Sequence, residues 1–149
     1  MASRSYESLP MPMAYFWLLL REFASPGAEA AWLAGTGVTR AAAADPAAEG
    51  TLGQTLALIR NLAARLPAGW SLTASSAFHA STHGPLGFAT VSAPTLGAAL
   101  DVIERFGWVR APYCRTPSEQ SERHYRITVE ERVPFGEVER IPLLEALLL

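Results

Sequence analysis

The chain has 149 residues, 50% of them hydrophobic and 17% charged, with a formal net charge of −2. That length suits one globular domain over residues 1–149, able to bury about two-thirds of its unfolded surface, and the composition excludes a disordered chain. The charge leaves no electrostatic footprint for nucleic acid, and the single cysteine, Cys114, excludes an intramolecular disulfide framework and suits a reducing cytoplasm.

Residues 1–10 are polar, end in Pro10 and read as a mobile arm. The apolar run 11–20 falls short of the roughly 20 residues a membrane-spanning helix needs. Arg21 and Glu22 follow it at once, with no small-residue cleavage pattern, so it reads as a packed helix over 12–24 and not as a leader. Its Tyr15, Phe16, Leu18, Leu19, Leu20 and Phe23 are apolar on almost every side, which calls for deep burial or a second subunit. Ser25, Pro26 and Gly27 end it. A short helix over 28–34 carries Trp32 and Leu33 and stops at Gly35, Thr36 and Gly37, where two glycines allow positive backbone angles. Thr39 can cap a further alanine-rich turn, closed by Asp45 and Pro46.

Thr51 and Gln54 have the spacing of a capping box, in which hydroxyl and amide satisfy each other's backbone N–H groups. The helix they open aligns Leu52, Leu56, Ile59, Ala63 and Leu66 on one stripe and ends at Pro67, Ala68 and Gly69. Over 70–78, Trp70, Leu72, Ala74 and Phe78 alternate with Ser71, Thr73, Ser75 and Ala77, which predicts a strand. Gly84, Pro85 and Gly87 then mark a sharp turn. Thr95 is the expected N-cap of a helix over 95–106, with Leu96, Leu100, Ile103 and Phe106 on one face and Gly107 as a left-handed C-cap.

After Gly107, residues 108–115 read as a strand that Pro112 confines to an edge or a bulge. A polar turn leads to a second strand over 123–133. There Tyr125, Ile127, Val129 and Val133 face the core, and His124, Arg126, Thr128, Glu130 and Arg132 face water. From Glu137 the pattern is helical again, through Ile141, Leu143, Leu144 and Leu147, and the chain stops on leucines at Leu149, which reads as a fragment of a longer protein. The sum is an α+β domain: N-terminal helices packed with a small, mainly antiparallel sheet and a central amphipathic helix.

The string from His83 to Phe106, HGPLGFATVSAPTLGAALDVIERF, resembles the segment "HG-L-GYA---SPTL-EAL----RY" of one branch of AraC/XylS-type transcription regulators. It lies there in the N-terminal effector domain, the arabinose-binding-like domain. The likeness is dense over residues 79–115 and looser over 11–78 and 123–149. It implies a small-molecule effector, such as an amino acid, amine, sugar or fatty acid; a homodimer is expected from two apolar surfaces, the helix 11–24 and the leucine-rich end 141–149, which exceed what a small core needs. The likeness also implies DNA binding only through a C-terminal helix-turn-helix domain, of which this chain shows no basic recognition helix. The cupin barrel of the family's sugar-binding founder needs many more strands than this sequence offers, and that fold is not carried over.

No nucleotide-binding loop, H-E-x-x-H motif or metal-ligand spacing appears, no cofactor is expected, and the serines lack a G-x-S-x-G setting. Cys114 and His124 would meet if 113–115 paired with 123–126, but a Cys–His pair without an orienting third group is a weak signal, and a small buried hydrophobe is the plainer reading. Asp101 and Glu104 fall on the outer face of their helix. What remains is binding chemistry and no enzyme: Trp32, Trp70, Trp108, Tyr113 and Tyr125 as apolar lining, with His79, His83, Arg105, Tyr113 and Arg115 as the candidate ligand-binding residues. The alternatives are a dimerisation or scaffold module with no ligand, a small Cys/His enzyme, and a haem sensor using His79 or His83.

Overall fold

The computed structural model describes residues 5–23, 25, 27–45 and 47–148, the side chains of residues 5 and 146–148 excepted. The expected helix stops Pro26 and Pro46, and the terminal Leu149, lie outside the described residues. The chain forms two compact units: Met1–Phe78 with Phe135–Leu149, and His79–Pro134. The architecture is α+β, with helices dominant and every strand pairing antiparallel.

Among its described residues, unit 1 is helices and turns apart from one two-stranded ladder, β1 (Pro10–Pro12) against β2 (Glu49–Thr51). The segment expected to be a mobile arm is held down from Ser5 onward. Residues Ser5–Ser8 form a 3-10 turn, and Leu52 donates its N–H to the Leu9 carbonyl at 2.8 Å. Helix α1 (Met13–Glu22) buries Met13, Tyr15, Phe16, Leu19 and Leu20. Most of its apolar surface is taken up inside unit 1, with Tyr15 packed on Phe78 and Phe23, just past its end, edge-on to Trp70, while Trp17 and Leu18 are only partly covered. Helix α2 (Glu29–Leu33) buries Trp32, whose indole N–H donates to the Phe23 carbonyl at 3.1 Å. Thr39 caps α3 (Arg40–Ala44) as predicted, accepting from the Ala42 N–H.

The core is centred on α4 (Leu52–Ala63). Its capping box is formed, with Gln54 N–H on Thr51 Oγ1 at 3.3 Å and Thr51 N–H on Gln54 Oε1 at 2.9 Å. The predicted stripe is buried at Leu52, Leu56 and Ile59, and so is a second row, Leu58 and Leu62. Both rows are covered because α4 is packed by α1, α2 and α8 (Glu137–Leu148) together. Each fully buried leucine contributes about 1.5–3 kcal/mol of transfer free energy.

One predicted strand is a helix. Residues Trp70–Ser75 form α5, started by Gly69 at φ 83°. Its buried positions are Trp70, Ser71, Ala74 and Ser75, and Leu72 is exposed. That is the repeat of a helix seated along one side, here against α8. The alternation of apolar and polar residues was real, but burial against a neighbour selected the other periodicity.

Unit 2 holds α6 (Pro85–Val91) and α7 (Leu96–Phe106), which pack together, and a β-hairpin. The apolar run after the turn at Gly84 is therefore helical, with Pro85 in its first turn. Thr95 caps α7 through the Ala98 N–H at 3.1 Å, as predicted. Gly107 is right-handed (φ −56°) and not the expected left-handed cap. The chain winds on into a 3-10 turn, Gly107–Val109, because the Arg110 and Ala111 N–H groups both donate to the Gly107 carbonyl. The expected strand 108–115 is reduced to β3, Cys114–Arg115.

The strand expected over 123–133 is split into β5 (Tyr125–Ile127) and β6 (Glu130–Glu131). It belongs to a single hairpin. β3 pairs with β6, and β4 (Ser118–Gln120) pairs with β5, in one unbroken register. Bonds Arg132 N–H to Tyr113 O, Thr128 N–H to Pro117 O and Ser121 N–H to His124 O carry that register from end to end. Alternation then puts Thr116, Ser118 and Tyr125 on one face, and all three meet α7 or its end: the Gly107 Cα region, Glu104 and Gly97.

Candidate functional site

The five candidate residues all fall in unit 2. The segment carrying the family resemblance is built around one backbone contact. Thr82 donates its N–H to the His79 carbonyl at 2.8 Å and accepts the His79 N–H on its hydroxyl at 3.2 Å, which closes the 3-10 turn Ala80–His83. Gly84 then reverses the chain at φ 59°, and Pro85 starts α6. Gly87, one turn into α6, lies so close to the turn that a Cβ there would collide with the Ala80 carbonyl. The two glycines of the H-G-P-L-G string are thus accounted for by packing: one supplies a positive φ, the other a backbone-to-backbone approach.

His83 is half-buried at the end of that turn. Its pKa is lowered from the ordinary value of 6.5, by burial first and then by the Arg110 guanidinium. The imidazole is therefore neutral at neutral pH, with one ring nitrogen a donor and the other an acceptor. Arg110 reaches the same turn, donating from Nη2 to the Thr82 carbonyl at 3.0 Å. Sequence reasoning missed Arg110, because an arginine inside a supposed edge strand carries no mark that distinguishes it.

His79 is exposed. Tyr113 is buried at the base of the hairpin, its carbonyl accepting from Arg132. Arg105 is exposed and lies over the Phe106 ring at 5.5 Å, and its carbonyl takes the Trp108 indole N–H. Arg115 pairs with Glu130 across the hairpin at 3.1 Å. Of the aromatic residues expected to line a pocket, Trp32 and Trp70 are core side chains of unit 1, whereas Trp108, Tyr113 and Tyr125 belong to unit 2.

The hairpin register separates Cys114 from His124. Cys114 stands opposite Glu131, and His124 is exposed at the hairpin tip. Burial also pushes the Cys114 thiol up to about 11, so the thiolate that nucleophilic chemistry requires is suppressed. Among the described residues no group of three His, Cys, Asp or Glu side chains is placed to hold a metal ion. Glu104 has a role that its outer-face position did not show: its carboxylate accepts from both the backbone N–H and the hydroxyl of Ser118, at 2.9 and 3.0 Å, and so ties the hairpin to α7.

Residues 27–149 match the arabinose-binding domain of AraC transcription regulators, the N-terminal domain of those proteins. The chain belongs to this family. The match covers all of unit 2 and most of unit 1, so the resemblance carried by His83, Gly84, Pro85 and Gly87 extends well beyond that string. No curated protein and no solved structure matches the chain. Membership makes this a regulatory ligand-binding domain of a transcription regulator. No helix among the described residues is long and apolar enough to cross a membrane.

Proposed function

We propose that this arabinose-binding-family domain senses a small metabolite in the cytoplasm and controls a C-terminal helix-turn-helix domain that binds DNA. The family match over residues 27–149 carries the reading. The effector is an amino acid, amine, sugar or fatty acid. Its contacts come from the five candidates His79, His83, Arg105, Tyr113 and Arg115, with Arg110 added by its approach to the His83 turn. A neutral imidazole beside a guanidinium offers a donor, an acceptor and a fixed positive charge, which suits a ligand bearing hydroxyl or carboxylate oxygens. The effector acts by binding one arrangement of the regulator more tightly than another, since a ligand with equal affinity for both shifts nothing.

A thermal-shift screen of the chain against those four chemical classes tests the proposal. A ligand at about a hundred times its dissociation constant stabilises by about 2.7 kcal/mol, which in a domain of this size is a rise of several degrees in Tm. A reproducible rise with one class, reduced in His83→Ala, supports the reading. A flat screen on well-folded protein overturns it in favour of a ligand-free dimerisation module.

A further inference from the structure

Leu96, Leu100, Ile103 and Phe106 mark one apolar face of α7, yet of the four only Leu100 is buried. The β-hairpin covers a different side of the helix: Tyr125 sits against Gly97, and Ser118 is bonded to Glu104. Helix α6 lies alongside α7 and is no better covered. Of its residues only Gly87 is buried, against the Ala80 backbone. With the 3-10 turn Gly107–Val109, the two helices carry six large apolar side chains, Phe88, Val91, Leu96, Phe106, Trp108 and Val109, that are 49% to 66% exposed. An amphipathic helix is expected to turn such a face inward.

The six are neighbours along the fold. Phe88 and Val91 stand one turn apart on α6, and Val91 and Leu96 flank the short connection to α7. Phe106, Trp108 and Val109 follow where α7 runs into the turn, and Arg110 ties that end back to Thr82, just before α6. About half of each side chain is open, on the order of 600 Å² in all. A standard interface takes about 800 Å² from each partner, of which about two-thirds is apolar when the partners are copies of one chain. The open surface is therefore of the size that a homodimer needs. Its character points to the same occupant. None of the six residues is charged, and the ionisable groups along α7 are of both signs, Asp101, Glu104 and Arg105. Such a face meets its own copy across a two-fold axis without like-charge repulsion, and it carries no charge pattern that would select an acidic or a basic partner.

We propose that the open apolar surface of α6, α7 and the turn Gly107–Val109 is where a second copy of this chain docks. It is distinct from the two apolar segments, 11–24 and 141–149, whose sequence suggests self-association, and it is independent of the identity of any effector. Light scattering behind size-exclusion chromatography, on a dilution series of the whole chain with Leu96→Asp and Val91→Lys beside the wild type, tests it. Leu96 opens α7 and Val91 closes α6, so the acid and the base introduced both suit the dipole of their own helix. Each variant should keep the wild-type far-UV circular dichroism and weaken the dimer by about tenfold or more in Kd. A wild type that stays monomeric at the highest concentration would overturn the proposal and leave the face to another occupant. A dimer that holds equally well in both variants would place the interface elsewhere and overturn it too. If one variant fails to fold, the other decides the question.

Discussion

Gly87 and His83 show how differently two residues of one short string can matter. Gly87 is buried where α6 meets the backbone of the 3-10 turn, and the Ala80 carbonyl occupies the place of a Cβ. A carbonyl cannot rotate away as a side chain would, so Gly87→Ala should destabilise by about 3 kcal/mol or more, at the upper end of overpacking costs. Urea denaturation would show it as a lower midpoint at unchanged slope; a loss under about 0.5 kcal/mol, typical of a neutral surface change, would mean the turn can yield. His83 acts through its charge. An unfolded imidazole takes up a proton near 6.5, and the native one only at lower pH, because burial and Arg110 both oppose the cation. Below 6.5 the unfolded chain therefore holds more protons than the native one, and stability falls as the pH drops toward the folded pKa. Its contribution is complete above 6.5. Wild type should lose more Tm than His83→Gln on acidification through that window. Parallel pH profiles would show that His83 does not titrate in this way.

At the scale of elements, the caps of α3, α4 and α7 were all legible in the sequence. Thr39, Thr51 and Thr95 each accept from the N–H three residues on, and the box at Thr51 is closed by Gln54. A cap is readable because donor and acceptor are local: three residues determine the geometry without help from the rest of the chain. Thr51→Ala removes one of the two box bonds and should cost about 1 kcal/mol, within the range of about 0.5–2 for such caps. Since α4 carries the core of unit 1, the loss should appear as a lower global Tm and not as local fraying; an unchanged Tm would mean the Leu9 carbonyl bond to Leu52 suffices to start the helix. The assignment of α5 as a strand shows the converse. Six residues alternating apolar and polar can be seated either way, and contact with α8 decided. The hairpin was half legible: Tyr125 and Ile127 do share one face opposite Arg126, but Ile127 is 54% exposed and not in the core as expected, and the pairing partner was not foreseen, because register depends on where the turn falls. Placing the turn at 121–124 moved Cys114 from His124 to Glu131 and removed the Cys–His pair.

For the whole molecule, the family and the α+β class follow from the sequence, while the division into two units does not. Dimerisation, an expectation drawn from the apolar surfaces of α1 and α8, now rests on less of α1, whose buried residues serve unit 1 itself. Exposed Val138 and Ile141 remain available on α8. Size-exclusion chromatography with light scattering should give twice the 16.0 kDa chain mass at micromolar concentration, falling when Ile141 is replaced by Asp. A clean monomer at high concentration would remove the dimer from the proposal.

Local chemistry was enough to place the caps and the Gly84 reversal, since each depends on residues within one turn of one another. The same holds for the absence of a nucleotide loop or metal motif from the sequence, which is a matter of spacing along the chain. Distance in sequence is what hid the rest. Arg60 and Glu139 meet from positions 79 residues apart, Arg110 reaches Thr82 across 28, and Glu104 takes Ser118 across 14. No periodicity or composition relates such pairs; only the folded chain, by burying one member beside the other, makes a partner of an arginine that the sequence shows as one charge among many.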